Sequence, residues 1–270
     1  MTQQEKAKLL LALHTRPEIL VLPNAWDVPT ARIFEIAGFP AIASTSAGIA
    51  NSLGYPDIER ISRDEMLAVV ARIARAVAVP VTADVEAGYG DPVATAKAVV
   101  AAGAVGMNIE DAIGPAGDQL ADISTQTAIL REIQALGLPL VVNARTDVYL
   151  GGIGDPATRF ARTVERLNAY REAGADCLFA PGVRDAATIA ALAREVRGPL
   201  NILGTVDTPP APELQRLGVA RVSVGSGPAR AALGLVRRIA TELREQGTYK
   251  LMLEGQLPYA EVNAMLSPQR

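Results

Sequence analysis

A few ionisable side chains stand where an otherwise apolar sequence turns polar. Asp84 and Glu86 end one apolar run, Glu110 ends the next, and Arg145 ends the one after it. Carboxylates two positions apart in a strand share one side of it. Two inward carboxylates repel each other unless a cation or protons compensate. A hard divalent ion such as Mg2+ takes oxygen ligands and keeps several waters, so one or two direct carboxylates suffice to hold it. A guanidinium at a strand end can clamp a substrate carboxylate through two parallel hydrogen bonds. The segment Thr45-Ser46-Ala47-Gly48 offers small residues and free backbone amides, which can cradle a carboxylate or enolate oxygen. The plainer readings are solvated loop acids or helix caps, an ion pair of Arg145 with Asp147 or Glu110, and an ordinary Ser/Gly turn. Several acids at neighbouring strand ends favour a site over that alternative.

Other chemistry is excluded by counting. The 270 residues include one cysteine, Cys177, and one histidine, His14. An intrachain disulfide and thiolate-rich zinc sites are therefore excluded, and any Ser–His or Cys–His catalysis must use His14. His14 sits in an N-terminal helical stretch beside Leu10 and Leu13, and Cys177 in an apolar run, so both read as structural residues. Net charge is −3 with no basic run of five, which gives a nucleic-acid surface no support. No apolar run approaches about eighteen residues and the start, Met1 to Lys8, is polar, so a cytoplasmic protein without a membrane span is expected.

The elements that must position these residues repeat. Apolar runs rich in Val, Ile, Leu and Ala recur at 19–23, 40–45, 80–86, 105–110, 139–147, 176–181, 199–203 and 219–224. Continuous apolar runs of this length fit parallel strands buried on both faces. Helical spacing fills the gaps, as at 64–76, 156–173 and 186–196. Gly38, Gly103, Gly137, Gly174 and Gly218 stand just before the next run, where a left-handed helix cap is expected. Eight strand–helix units in one chain of this length predict a (β/α)8 TIM barrel over 1–270, with a helical arm at about 250–270. In such a barrel the active site lies at the carboxyl ends of the strands, where Asp84, Glu86, Glu110 and Arg145 fall.

The strand-end motifs resemble those of the isocitrate lyase/phosphoenolpyruvate mutase superfamily. They are Pro23-Asn24-Ala25-Trp26-Asp27, the stretch 45–57, Asp84-Val85-Glu86-Ala87-Gly88-Tyr89-Gly90, Gly106-Met107-Asn108-Ile109-Glu110-Asp111, Asn143-Ala144-Arg145-Thr146-Asp147 and Ala173-Gly174-Ala175-Asp176-Cys177-Leu178-Phe179-Ala180-Pro181. The resemblance implies a barrel whose C-terminal helix swaps between subunits of a dimer of dimers. It implies Mg2+ (or Mn2+) and a 2-oxo or 2-hydroxy carboxylate as ligands. Asp84 matches the direct metal ligand, and Asp57, Glu86 and Glu110 match the carboxylates that hold its waters. Thr45, Ser46 and Ala47 match the turn that binds the oxo acid, and Arg145 the catalytic arginine that contacts it.

The resemblance breaks in three places. The lyases' glutamate after the sixth strand is replaced near Pro181. Their polar segment after the seventh strand, which reads the distal carboxylate, is here Gly204-Thr205-Val206-Asp207-Thr208. The loop after the fourth strand differs most. Lyases of the superfamily carry a Lys-Lys/Arg-Cys-Gly-His loop after the fourth strand, and its mutase branch a lysine and an asparagine there. This chain reads Ala112-Ile113-Gly114-Pro115-Ala116-Gly117-Asp118-Gln119. Candidate replacement acids are Asp118, Asp111 and Tyr55. The resulting expectation is a Mg-dependent carbon–carbon lyase or decarboxylase of a small 2-oxo or 2-hydroxy acid. The alternatives are a phosphonate P–C mutase or hydrolase, and a 2-oxo-acid-binding protein without turnover.

Overall fold

The computed structural model describes residues 1–114 and 116–267; Pro115 and residues 268–270, which belong to the loop and the arm considered above, lie outside the described residues. The strands are β1 (Leu20–Leu22), β2 (Asn24–Ala25), β3 (Ile42–Ser44), β4 (Val81–Asp84), β5 (Gly106–Glu110), β6 (Ala112–Ile113), β7 (Gln119–Leu120), β8 (Val141–Arg145), β9 (Cys177–Ala180), β10 (Leu200–Leu203) and β11 (Arg221–Ser223). Nine of them form one sheet in the order β1-β11-β10-β9-β8-β5-β4-β3-β2, and every pairing in it is parallel. The two ends of that list, β1 and β2, are consecutive pieces of chain separated by Pro23, so the sheet closes on itself as a (β/α)8 barrel. Each of the eight apolar runs supplies one stave.

The first stave is split because its halves serve different neighbours. Leu20 to Leu22 pair with Arg221 to Ser223, whereas Asn24 and Ala25 pair with Ala43 and Ser44. Proline has no N–H for a ladder, so Pro23 marks the change of partner. The Asn24 side chain bridges the seam: its Oδ1 accepts from Val224 N and Gly225 N, both at 2.9 Å, and its Nδ2 donates to Ser44 O at 2.8 Å.

Helices cover the outside. Arg63–Ala76 starts with a capping box from Ser62 and buries Met66, Leu67, Val70, Ile73 and Ala74, the stripe that the spacing predicts. The five glycines ahead of the strands all take left-handed φ, from 60° at Gly137 to 107° at Gly174. The 156–173 stretch is a 3-10 turn, Pro156–Thr158, followed by the helix Arg159–Glu172.

The N-terminal helix Gln3–Leu13 plugs the end of the barrel away from the carboxylates. Its Ala7, Leu10 and Leu13 form a buried cluster with Leu20, Leu22, Val105 and Val141. Beside it, His14 Nδ1 meets Leu10 O at 2.7 Å, and Nε2 lies 3.4 Å from Nη1 of the fully buried Arg221. Burial and the Arg221 charge push the imidazole down to about 4, so it is neutral at pH 7. Cys177 is also buried, and burial pushes its thiol up to about 11.

The C-terminal helix Gly227–Gln246 buries only Ala229 and Glu242, leaving Leu233, Val236 and Leu243 exposed along it. The arm beyond it forms two short helices, Lys250–Glu254 and Tyr259–Leu266, and the second lies on helix Val28–Ile36 of the same chain, where Arg32 Nε reaches Met265 O at 3.1 Å. Among the described residues no helix is long and apolar enough to cross a membrane.

Candidate active site

A cavity of about 800 Å3 opens at the carboxyl ends of β3, β4, β5 and β8. Ser46, Asp57, Glu86, Glu110, Arg145 and Asp147 line it. Asp84 and Thr45 lie buried beside it, and Ala47 lies next to Ser46 in the same helix turn.

Asp84 is the last residue of β4, with its own N–H bonded to Ser44 Oγ at 2.9 Å. Its Oδ2 accepts from Ser46 N at 3.2 Å and Ser46 Oγ at 3.0 Å. Thr45 caps helix Ser46–Ser52 by accepting from Gly48 N at 3.3 Å. The expectation that this turn keeps its amides free is thus corrected for two of them: Ser46 N serves Asp84 and Gly48 N serves the cap. Gly48 is required there, because a Cβ would lie 2.5 Å from Thr45 Cγ2.

Glu86 reaches the cavity by a route that strand alternation does not supply. β4 ends at Asp84, and Glu86 has a left-handed φ of 51°. Glu59 N donates to its Oε2 at 2.6 Å and Tyr89 OH to its Oε1 at 3.2 Å, while Glu59 Oε1 accepts from Tyr89 N at 2.6 Å. Ile58, Glu59 and Tyr89 also have positive φ, an uncommon state for such side chains that clusters at sites held by their surroundings. Burial, opposed by the Glu59 N–H and reinforced by Asp57, Asp84 and Glu59, pushes the Glu86 carboxyl up to about 7. Asp57 lies at the exposed rim. The cavity walls push its carboxyl up despite the Ile58 N–H, with Asp84 and Asp147 adding and Arg145 subtracting.

Arg145 realises both ion pairs that the sequence allowed. Its Nε and Nη2 grip Asp147 at 2.6 and 2.8 Å, and Nη1 meets Glu110 at 2.7 Å. A guanidinium has five N–H groups, so two remain for a ligand. Burial alone would lower its basicity, but the two carboxylates outweigh that and hold it firmly protonated. Phe179 lies under it, with the ring centroid 5.9 Å from Cζ. Burial pushes Glu110 well above the usual carboxylate range, Arg145 pulling against it.

None of the three candidate replacement acids lines the cavity. Asp111 is fully buried: its Oδ2 accepts from Tyr170 OH at 2.7 Å and Arg166 Nη1 at 2.9 Å, and its Oδ1 from Asp147 N at 2.9 Å. Tyr55 donates to Glu65 at the surface, 3.3 Å away. Asp118 is exposed in the β6–β7 hairpin. The sequence reading also missed Glu59 and Tyr89 as the groups that hold Glu86. No residue pattern marks a left-handed glutamate, so nothing in the sequence announced them.

Among the described residues no three carboxylate, imidazole or thiol groups form a ready-made metal cage. The donors present nonetheless suit a hard cation that keeps its waters: they are all oxygens, Asp84 and Glu86 are buried, and burial raises the carboxyls of Asp57, Glu86 and Glu110, a penalty that a cation would offset.

Comparison with known proteins follows the same lines. The phosphoenolpyruvate phosphomutase family profile matches residues 10–244. A crystal structure from Burkholderia cenocepacia, provisionally described as a lyase/mutase, superposes with TM-score 0.90 at 41% identity, covering 98% of this chain and 97% of that one. A 2-methylisocitrate lyase from Aeropyrum pernix is 28% identical over 255 residues, 91% of this chain and 82% of the relative. An oxaloacetate decarboxylase from Bradyrhizobium diazoefficiens is 29% identical over 255 residues, 91% of this chain and 87% of the relative.

Proposed function

The chain belongs to the phosphoenolpyruvate phosphomutase family, within the isocitrate lyase/phosphoenolpyruvate mutase superfamily, and from that premise we propose that it is a Mg2+- or Mn2+-dependent carbon–carbon lyase acting on a small 2-oxo or 2-hydroxy carboxylate. Decarboxylation of an oxaloacetate-like acid falls within this reading. The observation that carries it is the convergence of Glu86, Glu110 and Arg145 on one cavity from three neighbouring staves, with Asp84 buried beside it. Relatives named as a 2-methylisocitrate lyase and an oxaloacetate decarboxylase support it.

Asp84 would be the direct metal ligand, with Asp57, Glu86 and Glu110 holding coordinated waters. The bound cation supplies Lewis-acid polarisation of the substrate carbonyl. The protein's own part is orientation and charge. Ser46 fixes Asp84 through two hydrogen bonds. Asp147 and Glu110 fix the plane of Arg145, which leaves two N–H groups that would stabilise the negative charge developing on the 2-oxo oxygen as the bond breaks. Charge delocalised into an enolate needs less help from a general acid, which suits a hairpin without Cys, Lys or His.

Calorimetry with pyruvate and oxalate, with and without Mg2+, tests this. Mg2+-dependent binding that disappears in Asp84→Ala is expected, together with turnover on a panel of 2-oxo and 2-hydroxy acids. Absence of Mg2+-dependent binding sinks the proposal. Oxo-acid binding without turnover would instead favour the second reading, a ligand-binding protein, which is supported by the absence of Asp111, Asp118 and Tyr55 from the cavity wall.

The exposed Leu233, Val236 and Leu243 support a homo-oligomer in which the C-terminal helix packs on another subunit, as a swapped helix in a dimer of dimers would. Light scattering of the purified protein tests that assembly. A cytoplasmic location belongs to the same proposal and is testable by fractionation.

A further inference from the structure

We propose that Arg221 is a positioning residue of the site: a permanent cation in the barrel interior that acts through Asn108 and Asp84 and biases the metal-loaded site toward holding an anionic acid. This rests on the proposed function and adds to it a residue that lies outside the cavity.

Arg221 opens β11 and is 1% exposed. Its side chain crosses the barrel. β11 and β5 stand four staves apart whichever way the ring is followed, yet Nη2 reaches Asn108 Oδ1 at 3.4 Å. Asn143 on the next stave, β8, donates through Nδ2 to the same oxygen at 2.7 Å. Asn108 is thereby oriented with its own Nδ2 toward Asp84 Oδ1, 3.5 Å away. One asparagine stands between the buried cation and the carboxylate proposed to carry the metal.

The setting of Arg221 does not serve stability. Among the described residues it forms no ion pair, and its Nε is buried without a partner. Its other contact is a neutral imidazole: Nη1 lies 3.4 Å from Nε2 of His14, whose Nδ1 is turned to Leu10 O. Taking an unpaired guanidinium out of water is costly, and an apolar side chain of similar volume is often the more stable choice. The charge persists all the same. Burial lowers the basicity of Arg221, but from a value so far above neutral that the guanidinium keeps its proton. The acid whose charge it feels is Asp84, because the nearby Cys177 thiol is neutral at pH 7.

The consequence is electrostatic. Asp57, Glu86, Glu110 and Asp147 line the cavity, and among the described lining residues the cations are Arg60 and Arg145. An incoming dianion meets that surplus of negative charge. A cation beneath Asp84 offsets part of it without taking room in the cavity, and its field carries further in a buried interior than in water. The same field repels a divalent ion. Arg221 therefore loosens the hold on the metal and tightens the hold on the acid.

Calorimetry on the full chain at pH 8 tests this, with Mg2+ alone and then with oxalate at saturating Mg2+. In Arg221→Met, which keeps the bulk and removes the charge, Mg2+ is expected to bind about tenfold more tightly and oxalate about tenfold more weakly. Opposed shifts separate this role from a structural one, since a damaged site loses both ligands together. Arg221→Lys is expected to keep both affinities within about threefold of the unsubstituted protein at pH 6, and to show the opposed shifts at pH 9, where a buried ammonium gives up its proton. His14 and Cys177, which face the same place, titrate at about 4 and about 11 and keep their charge state across that range. The pH 9 measurement takes the place of Arg221→Met should that variant not fold. Affinities that fall together, or that stay unchanged, overturn this inference and leave the proposed function standing. Absence of Mg2+-dependent oxalate binding in the unsubstituted protein overturns both.

Discussion

Arg145 and Asp147 meet edge to edge, with Nε and Nη2 of the guanidinium on the two carboxylate oxygens at 2.6 and 2.8 Å. This fork fixes the plane of the arginine before any ligand arrives, and Glu110 secures its third edge at 2.7 Å. Preorganised donors stabilise developing charge without reorganising during the reaction.

Arg145→Lys is expected to weaken Mg2+-dependent oxalate binding by about tenfold or more, because an ammonium cannot span both Asp147 oxygens. Arg145→Met leaves Glu110 and Asp147 buried without a cation, which is expected to cost about 3–5 kcal/mol of stability at pH 7. Urea unfolding at pH 7 and at a lower pH should show that deficit shrinking as acid protonates the two carboxylates, Glu110 being held above the usual carboxylate range by burial. An equal deficit at both pH values would contradict the role given to the arginine.

Glu86 gives a pH signature in protein kept free of divalent ions. Its folded carboxyl titrates at about 7 against an ordinary 4.5, so the folded state keeps a proton that the unfolded chain releases between those values. Its contribution is therefore fully present below about pH 4.5 and is lost as pH rises through 7. Glu86→Gln keeps an acceptor for Glu59 N, and its amide N–H can donate to Tyr89 OH, but it carries no charge. The variant is expected to be more stable than the unsubstituted protein at pH 8, on the order of 2 kcal/mol, with the gap narrowing at pH 5. Thermal melts in chelator at the two pH values measure it.

The His14 contribution runs in the opposite direction. Its folded value of about 4 lies below the ordinary 6.5, so the unfolded chain binds the proton first on acidification. Stability from this residue is complete above pH 6.5 and is lost as pH falls toward 4, by up to about 3 kcal/mol. The pH dependence of stability in His14→Gln is expected to be flatter over that window, which denaturant unfolding at half-unit pH steps would show.

Asp111→Asn leaves Arg166 buried and without its carboxylate, and an Asn in that place must still meet Tyr170 OH and Asp147 N. A loss of about 3–5 kcal/mol is expected in urea unfolding. Tyr170→Phe removes one hydrogen bond from the same carboxylate and is expected to cost about 1–2 kcal/mol.

The staves were legible because each is buried on both faces, so its sequence is a continuous apolar run closed by a glycine-capped helix. Arg145 and the carboxylates were legible because they interrupt such runs at their carboxyl ends. The split at Pro23 and the β6–β7 hairpin were not, since strands of two residues leave no pattern. The true setting of Asp111 was hidden for another reason: its partners Arg166 and Tyr170 lie 55 and 59 residues away in sequence. Burial turned a candidate acid into a structural anion. The Glu59–Glu86–Tyr89 cluster depends on left-handed backbone at residues that do not advertise it.

The seam at Asn24 has a consequence for the order in which the molecule can be made. β1 and Asn24 emerge early in synthesis, but their partners β11, Val224 and Gly225 lie about two hundred residues later. Until the ribosome has delivered that distant stretch, one edge of the sheet stays unpaired, and the seven staves already made form an open sheet. Contacts of such long sequence separation form slowly and leave strand edges exposed meanwhile. Ring closure thus waits for the last stave, and a single asparagine bonded to both flanking strands is the fastener that completes it.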